Sequence, residues 1–171
     1  MKRNVWAIPY CLALAEKPHY ANISKTIAID GIMDSVMPPT STHRPEDSFK
    51  SQCFPLFSML KAINSPTVNL LVLDIEGAEF EVLKHVPWDS VDIEVMMIEL
   101  EHAGKLFPGS REDVLDYLDD INYQHIGGMI KDDYFVRKDL LETKYNIDVP
   151  QIEEKFPQFK IAKPFIKSRE F

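Results

Sequence analysis

Twenty-one consecutive residues, Val68 to Trp88 (VNLLVLDIEGAEFEVLKHVPW), constrain the fold of this chain more than any others. The apolar run Leu70–Leu73 has the character of a strand buried on both faces of a parallel sheet. It stops at Asp74-Ile75-Glu76-Gly77, where glycine lets the backbone leave the strand sharply. An amphipathic helix should follow, with Ala78, Val82, Leu83 and Val86 on its core face and Glu79, Glu81, Lys84 and His85 elsewhere. Pro87 cannot continue that helix. A second buried strand then runs from Asp92 to Leu100. Strand, helix and strand within about 30 residues make a βαβ unit. Asp74 and Glu76 therefore belong at the carboxyl end of a parallel strand, where open α/β sheets receive ligands.

A chain of 171 residues suits one domain, and an apolar content of 45% excludes a disordered one. The net charge of −8 argues against nucleic acid, because phosphate binding needs a basic surface. No apolar run approaches the roughly 18 residues that span a bilayer. Cys11 and Cys53 fit neither a zinc site nor a disulfide scaffold, and composition favours two buried free thiols. A single bridge in an oxidising compartment is the alternative. At the N-terminus Lys2 and Arg3 precede the apolar segment Val5–Ala15, which reads either as a short secretory signal or as a core strand, Asn4 to Pro9.

Asn22 to Asp47 reads as a long loop, with Pro38-Pro39 inside it and the weak glycosylation sequon Asn22-Ile23-Ser24 at its start. Phe54, Phe57, Leu60, Lys61 and Ile63 fit a short helix with Pro55 in its first turn. Beyond the βαβ unit, Ser110 to Asp113 form a capping box for a helix whose core face is Val114, Leu115, Leu118 and Ile121. Strands Gln124–Ile130 and Tyr134–Lys138, joined by Lys131-Asp132-Asp133, read as an antiparallel hairpin. Past Leu141 the chain is polar. Lys155, Lys160, Lys163, Lys167 and Arg169 alternate there with Phe156, Phe159, Phe165 and Phe171, a tail suited either to an anionic membrane surface or to a loosely packed terminus.

The blocks LLVLDIEGAEFEVLKHV, MMIELE, DVLDYL, NYQHIG and DDYFVRKDL resemble the FkbM-type methyltransferase domain. RNVWAIPYCLAL and CFPLFSMLKAI are similar to one branch of it, the insect protein Star and its relatives. The resemblance divides the chain into a partial methyltransferase-like domain, 1–145, and a tail, 146–171. It implies a Rossmann-like α/β sheet of order 3-2-1-4-5-7-6 with the hairpin at its end. It also makes RNVWAIPYCLAL the third strand rather than a signal. The family's glycine-rich cradle for S-adenosylmethionine and its ribose-binding acid precede that strand. The expectation is thus a fragment or short isoform lacking the first two strands, a doubtful binder of the cofactor and a poor folder when alone. None of the six glycines forms the G-x-G-x-x-G pattern.

Asp74, Glu76 and Glu99 are the candidate catalytic residues, with Asp74 facing an acceptor and the other two supplying a second carboxylate as base. Glu76 is equally suited to capping the following helix. His102 lies on the same rim, and a metal held by Asp74, Glu76, Glu99 and His102 is allowed but not demanded by their spacing. The Star resemblance implies a non-catalytic role in endoplasmic reticulum to Golgi trafficking and in epidermal growth factor receptor signalling. Its partners would be protein cargo or a receptor ligand, with membrane association through a preceding segment or the tail. The alternative is an S-adenosylmethionine-dependent methyltransferase acting on a small molecule or glycan, with a cytoplasmic site as the other location. A secreted α/β domain with a cleaved signal is a third possibility.

Overall fold

The computed structural model describes residues 10–24, 48–65, 67–105 and 107–157. The proposed strand Asn4–Pro9, the Pro38-Pro39 segment and the tail from residue 158 lie outside them. The described residues form a mixed α/β fold with two sheets. The smaller sheet has the order β1-β3-β2, from β1 (Cys11–Leu12), β2 (His19–Ser24) and β3 (Ser48–Phe54). β1 runs parallel to β3 and β2 antiparallel to it. The larger sheet has the order β4-β5-β7-β6, from β4 (Thr67–Leu73), β5 (Asp92–Glu99), β6 (Tyr123–Met129) and β7 (Asp132–Arg137). Helices α1 (Leu56–Ala62), α2 (Glu79–Lys84), α3 (Arg111–Asp120) and α4 (Val149–Lys155) complete the set.

The βαβ unit forms as expected, with β4 and β5 parallel and α2 between them. Ala78, Val82, Leu83 and Val86 are buried, as the helical period requires. The Ser110–Asp113 capping box is also present: Ser110 Oγ accepts from the Asp113 amide at 3.1 Å, and Asp113 Oδ2 accepts from the Ser110 amide at 2.7 Å. Val114 and Leu118 of α3 enter a core shared with Leu73, Leu83, Ile93, Met96, Ile98 and Phe135. Three hydrogen bonds tie the layers together. Trp88 Nε1 donates to the Tyr117 hydroxyl at 2.9 Å, Tyr117 to the Leu83 carbonyl at 3.2 Å, and Tyr123 to the Ile93 carbonyl at 2.6 Å.

Several expectations need correcting. β4 is not buried on both faces: Leu70 is 57% exposed and Val72 51%. Among the described residues β5 is its only partner in the sheet, and nothing covers the face carrying those two side chains. Residues 22–24 belong to strand β2 rather than to a loop, because the strand-forming sequence His19–Ser24 pairs along its length with Ser48–Phe54. Phe54 ends β3 instead of entering a helix, and Pro55, with extended backbone, caps α1. Cys11 and Cys53 are not free thiols. They lie opposite each other in register on adjacent strands, with Cα atoms 4.4 Å apart, and form a disulfide.

The hairpin turn is also shorter than expected. Asp132 and Asp133 already belong to β7, where Asp133 is buried against His125 and held by Arg111, so only Ile130-Lys131 turn the chain. Ile130 adopts φ 62° and is 96% exposed. A β-branched residue in the left-handed region costs about 1–2 kcal/mol, and this one gains no burial in return. Ile130→Asn should therefore stabilise the protein by about 1 kcal/mol, raising Tm by roughly 3 °C. A circular-dichroism melt with Tm unchanged or lowered would contradict that strain.

Candidate active site at the carboxyl ends of the parallel strands

β4 and β5 end side by side. Leu73 pairs with Ile98, so the residues that follow in register are Asp74 and Glu99. Asp74 is exposed, whereas Glu99 is 4% exposed at the end of its strand. Between β4 and α2 the chain turns through Glu76, at φ 58°, and Gly77, at φ 101°. Two consecutive left-handed residues make a tight, strained reversal, and the second needs glycine for a further reason. A Cβ on Gly77 would sit 3.0 Å from the His102 carbonyl oxygen.

Glu79 holds this turn in place. Its Oε1 accepts from the amides of Ile75, at 2.8 Å, and Gly77, at 3.2 Å, and the residue is 1% exposed. Sequence reasoning assigned Glu79 to the outer face of α2 because it is charged and lies off the apolar stripe. The informative signal was its distance from the turn. A carboxylate two residues beyond Gly77, at the first position of the helix, can reach back to amides that the reversal leaves unpaired.

One oxygen from each of Asp74, Glu79 and Glu99 lies within 4.8 Å of the others. Glu76 lies to one side. It does not cap α2, whose start carries no side-chain cap, and its Oε2 is 3.1 Å from His102 Nδ1. The same imidazole nitrogen is 3.6 Å from Glu99 Oε1. The structure thus brings two of the sequence-derived candidates, Asp74 and Glu99, together with Glu79, and leaves Glu76 beside them against His102, which also faces Glu99. Burial pushes the Glu99 carboxyl above its ordinary value, His102 opposes this, and the charges of Asp74 and Glu76 reinforce it. Burial raises Glu79 as well, against its backbone amides. A buried carboxylate with a raised pKa beside an exposed one has the makings of a general base.

The fit to S-adenosylmethionine is a separate question. A cradle needs glycines whose Cα positions lie open to the ligand. Among the described residues near this rim the glycines are closed by protein atoms. A Cβ on Gly77 would meet His102, one on Gly104 would lie 3.2 Å from the Gly109 carbonyl oxygen, and one on Gly109 would lie 2.4 Å from Phe80 Cδ1. The described residues therefore supply a rim of acids at the strand ends but do not fit the role of cofactor cradle.

Residues 11–125 match the methyltransferase FkbM domain, a family that uses S-adenosylmethionine. Neither the curated proteins nor the solved structures give a match. The matched region runs from the first cysteine through β4, the acidic turn, β5 and α3 into β6, so it includes every acid of the site. On that match the chain belongs to the FkbM methyltransferase domain family.

Proposed function

We propose that this chain is a Star-like, non-catalytic member of its family, acting in the endoplasmic reticulum and Golgi. There it would take part in the trafficking of epidermal-growth-factor-type ligands and in signalling by their receptor. The Cys11–Cys53 disulfide carries the reading, since such bridges persist in oxidising compartments and are rare in the cytosol. The segments RNVWAIPYCLAL and CFPLFSMLKAI support the Star-like part by resemblance, and the strand order β4-β5-β7-β6 fits the 4-5-7-6 half of a methyltransferase sheet. Partners of this protein would be secreted or membrane-bound proteins rather than nucleic acid, given the charge of −8.

Isothermal titration of the chain with S-adenosylmethionine tests the proposal. No heat of binding is expected, and binding in the micromolar range would overturn it. One observation favours a second reading, a methyltransferase acting on a small molecule or glycan. The acids Asp74, Glu79 and Glu99 converge where an acceptor hydroxyl would lose its proton. Micromolar binding in the same titration is the result that reading requires.

A further inference from the structure

We propose that Asp74, Glu79 and Glu99 form a binding site for one divalent cation of the hard, oxygen-seeking class: magnesium, manganese or calcium. The acids alone would not carry this, because acidic clusters are common. The decisive observation is Glu99. Both of its carboxylate oxygens are buried and neither accepts a hydrogen bond, although the residue is only 4% exposed and its carboxylate points into the cluster. A carboxylate removed from water without donors costs several kcal/mol, so it calls for a counter-charge or a proton. His102 makes no hydrogen bond to it. Its nearer nitrogen is 3.6 Å from Glu99 and lies closer to Glu76, at 3.1 Å. Lys131 is already paired with Glu101.

The geometry suits a cation of this class. Calcium takes oxygens at about 2.3–2.6 Å and magnesium at about 2.0–2.1 Å, so two ligands of one ion stand at most about 5 Å or about 4 Å apart. Ligand atoms within 4.8 Å of one another suit the first directly and the second after a small contraction. The donor set holds no sulfur, and both cysteines are committed to their disulfide, which argues against soft metals. Glu79 is fixed by two amides of the rigid turn, Glu99 by the end of β5, and exposed Asp74 leaves a route for entry. With protein ligands on one side, the cation would keep open positions toward solvent, suited to a hydroxyl or carboxylate oxygen of a partner molecule. The site stands on its own, whether or not the chain binds S-adenosylmethionine or acts in trafficking.

The test is calorimetric titration of the chelator-treated full chain with manganese chloride, and in parallel with magnesium and calcium chlorides, all without S-adenosylmethionine. Manganese binding is also read by its electron paramagnetic resonance signal. We expect one ion per chain, weakened at least about tenfold by Asp74→Asn and at least about tenfold by Glu99→Gln. Glu81→Gln, which lies on α2 outside the cluster, should leave binding unchanged. Absence of binding by all three ions up to about 5 mM would overturn the proposal, as would wild-type affinity in Asp74→Asn. Should Glu99→Gln fail to fold, Asp74→Asn decides alone, because Asp74 is exposed and its substitution leaves the core intact.

Discussion

Asp133→Ala should cost about 3–4 kcal/mol of stability, the largest loss expected from any single charged side chain of the larger sheet. Asp133 sits on β7, 4% exposed, and joins three elements. Arg111, the first residue of α3, clamps it with a fork. Nε reaches Oδ2 at 2.8 Å and Nη2 reaches Oδ1 at 2.5 Å. His125 of β6 approaches the same Oδ1 through Nε2 at 2.7 Å, with its ring 5.2 Å from that of Phe135 at the centre of the core. Gly128 leaves room for this carboxylate, since a Cβ there would come within 2.6 Å of Oδ1. Removing the acid takes a hydrogen-bond partner from a buried imidazole and releases the guanidinium. Arg111 is partly exposed and can turn toward water, which keeps the cost at the low end for a broken buried pair. Asp133→Asn keeps the shape and one acceptor, and should lose about half as much.

The pH dependence of that loss follows from the same contacts. Burial acts to raise the Asp133 pKa, but the hydrogen bonds from His125 and Arg111 outweigh it and hold the carboxyl below its ordinary value. A depressed carboxylate contributes stability above the unfolded pKa, near 4, and loses it as pH falls through the lower folded value. The gap between wild type and Asp133→Ala in urea denaturation should therefore be full at pH 7 and shrink below about pH 4. A gap that is absent at pH 7, or that widens on acidification, would refute the account.

What could be read from the sequence was set by the range of the interaction behind each feature. The βαβ unit, the capping box of α3 and the hairpin rest on contacts within a few residues or on a regular period, and periodicity carries both. The positions of Asp74 and Glu99 were legible for the same reason: two apolar strands in parallel register must end together, whatever lies around them. Glu79 was missed because a charged residue on an amphipathic helix is normally solvated. Only the geometry of the preceding turn makes its burial favourable. The Arg111–Asp133–His125 cluster spans 22 residues between arginine and aspartate, and no local pattern announces it. Leu70 and Val72 read as core because apolar runs usually are. Whether a second layer covers them depends on chain distant in sequence, which a window of seven residues cannot report.

Removing the Cys11–Cys53 bridge should be at least as costly, though the loss should be confined to the smaller sheet. The bridge closes a loop of 42 residues, for which chain-entropy arguments give a stabilisation of about 4 kcal/mol. That sheet has little else. Its own core is Ala13, Ala21 and Cys53, and β1 contributes only two paired positions, Cys11 with Cys53 and Leu12 with Phe54. Leu12, Leu14 and Leu56 link it to the main core, where Phe135, Leu83 and Ile98 do not depend on it. In the Cys11→Ser/Cys53→Ser double variant, amides of β3 should exchange about a hundredfold to a thousandfold faster, while those of β5 and β7 keep their protection. Adding dithiothreitol to the wild-type protein should give the same pattern. Equal protection of β3 with and without the bridge would mean that pairing with β2 suffices to hold the sheet. Uniform loss across both sheets would mean that Leu12 and Leu14 transmit the damage into the main core, making the chain one cooperative unit. Under the first outcome the thiols would be free to serve as a redox couple; under the predicted one the bridge is structural, and the smaller sheet folds only where disulfides form.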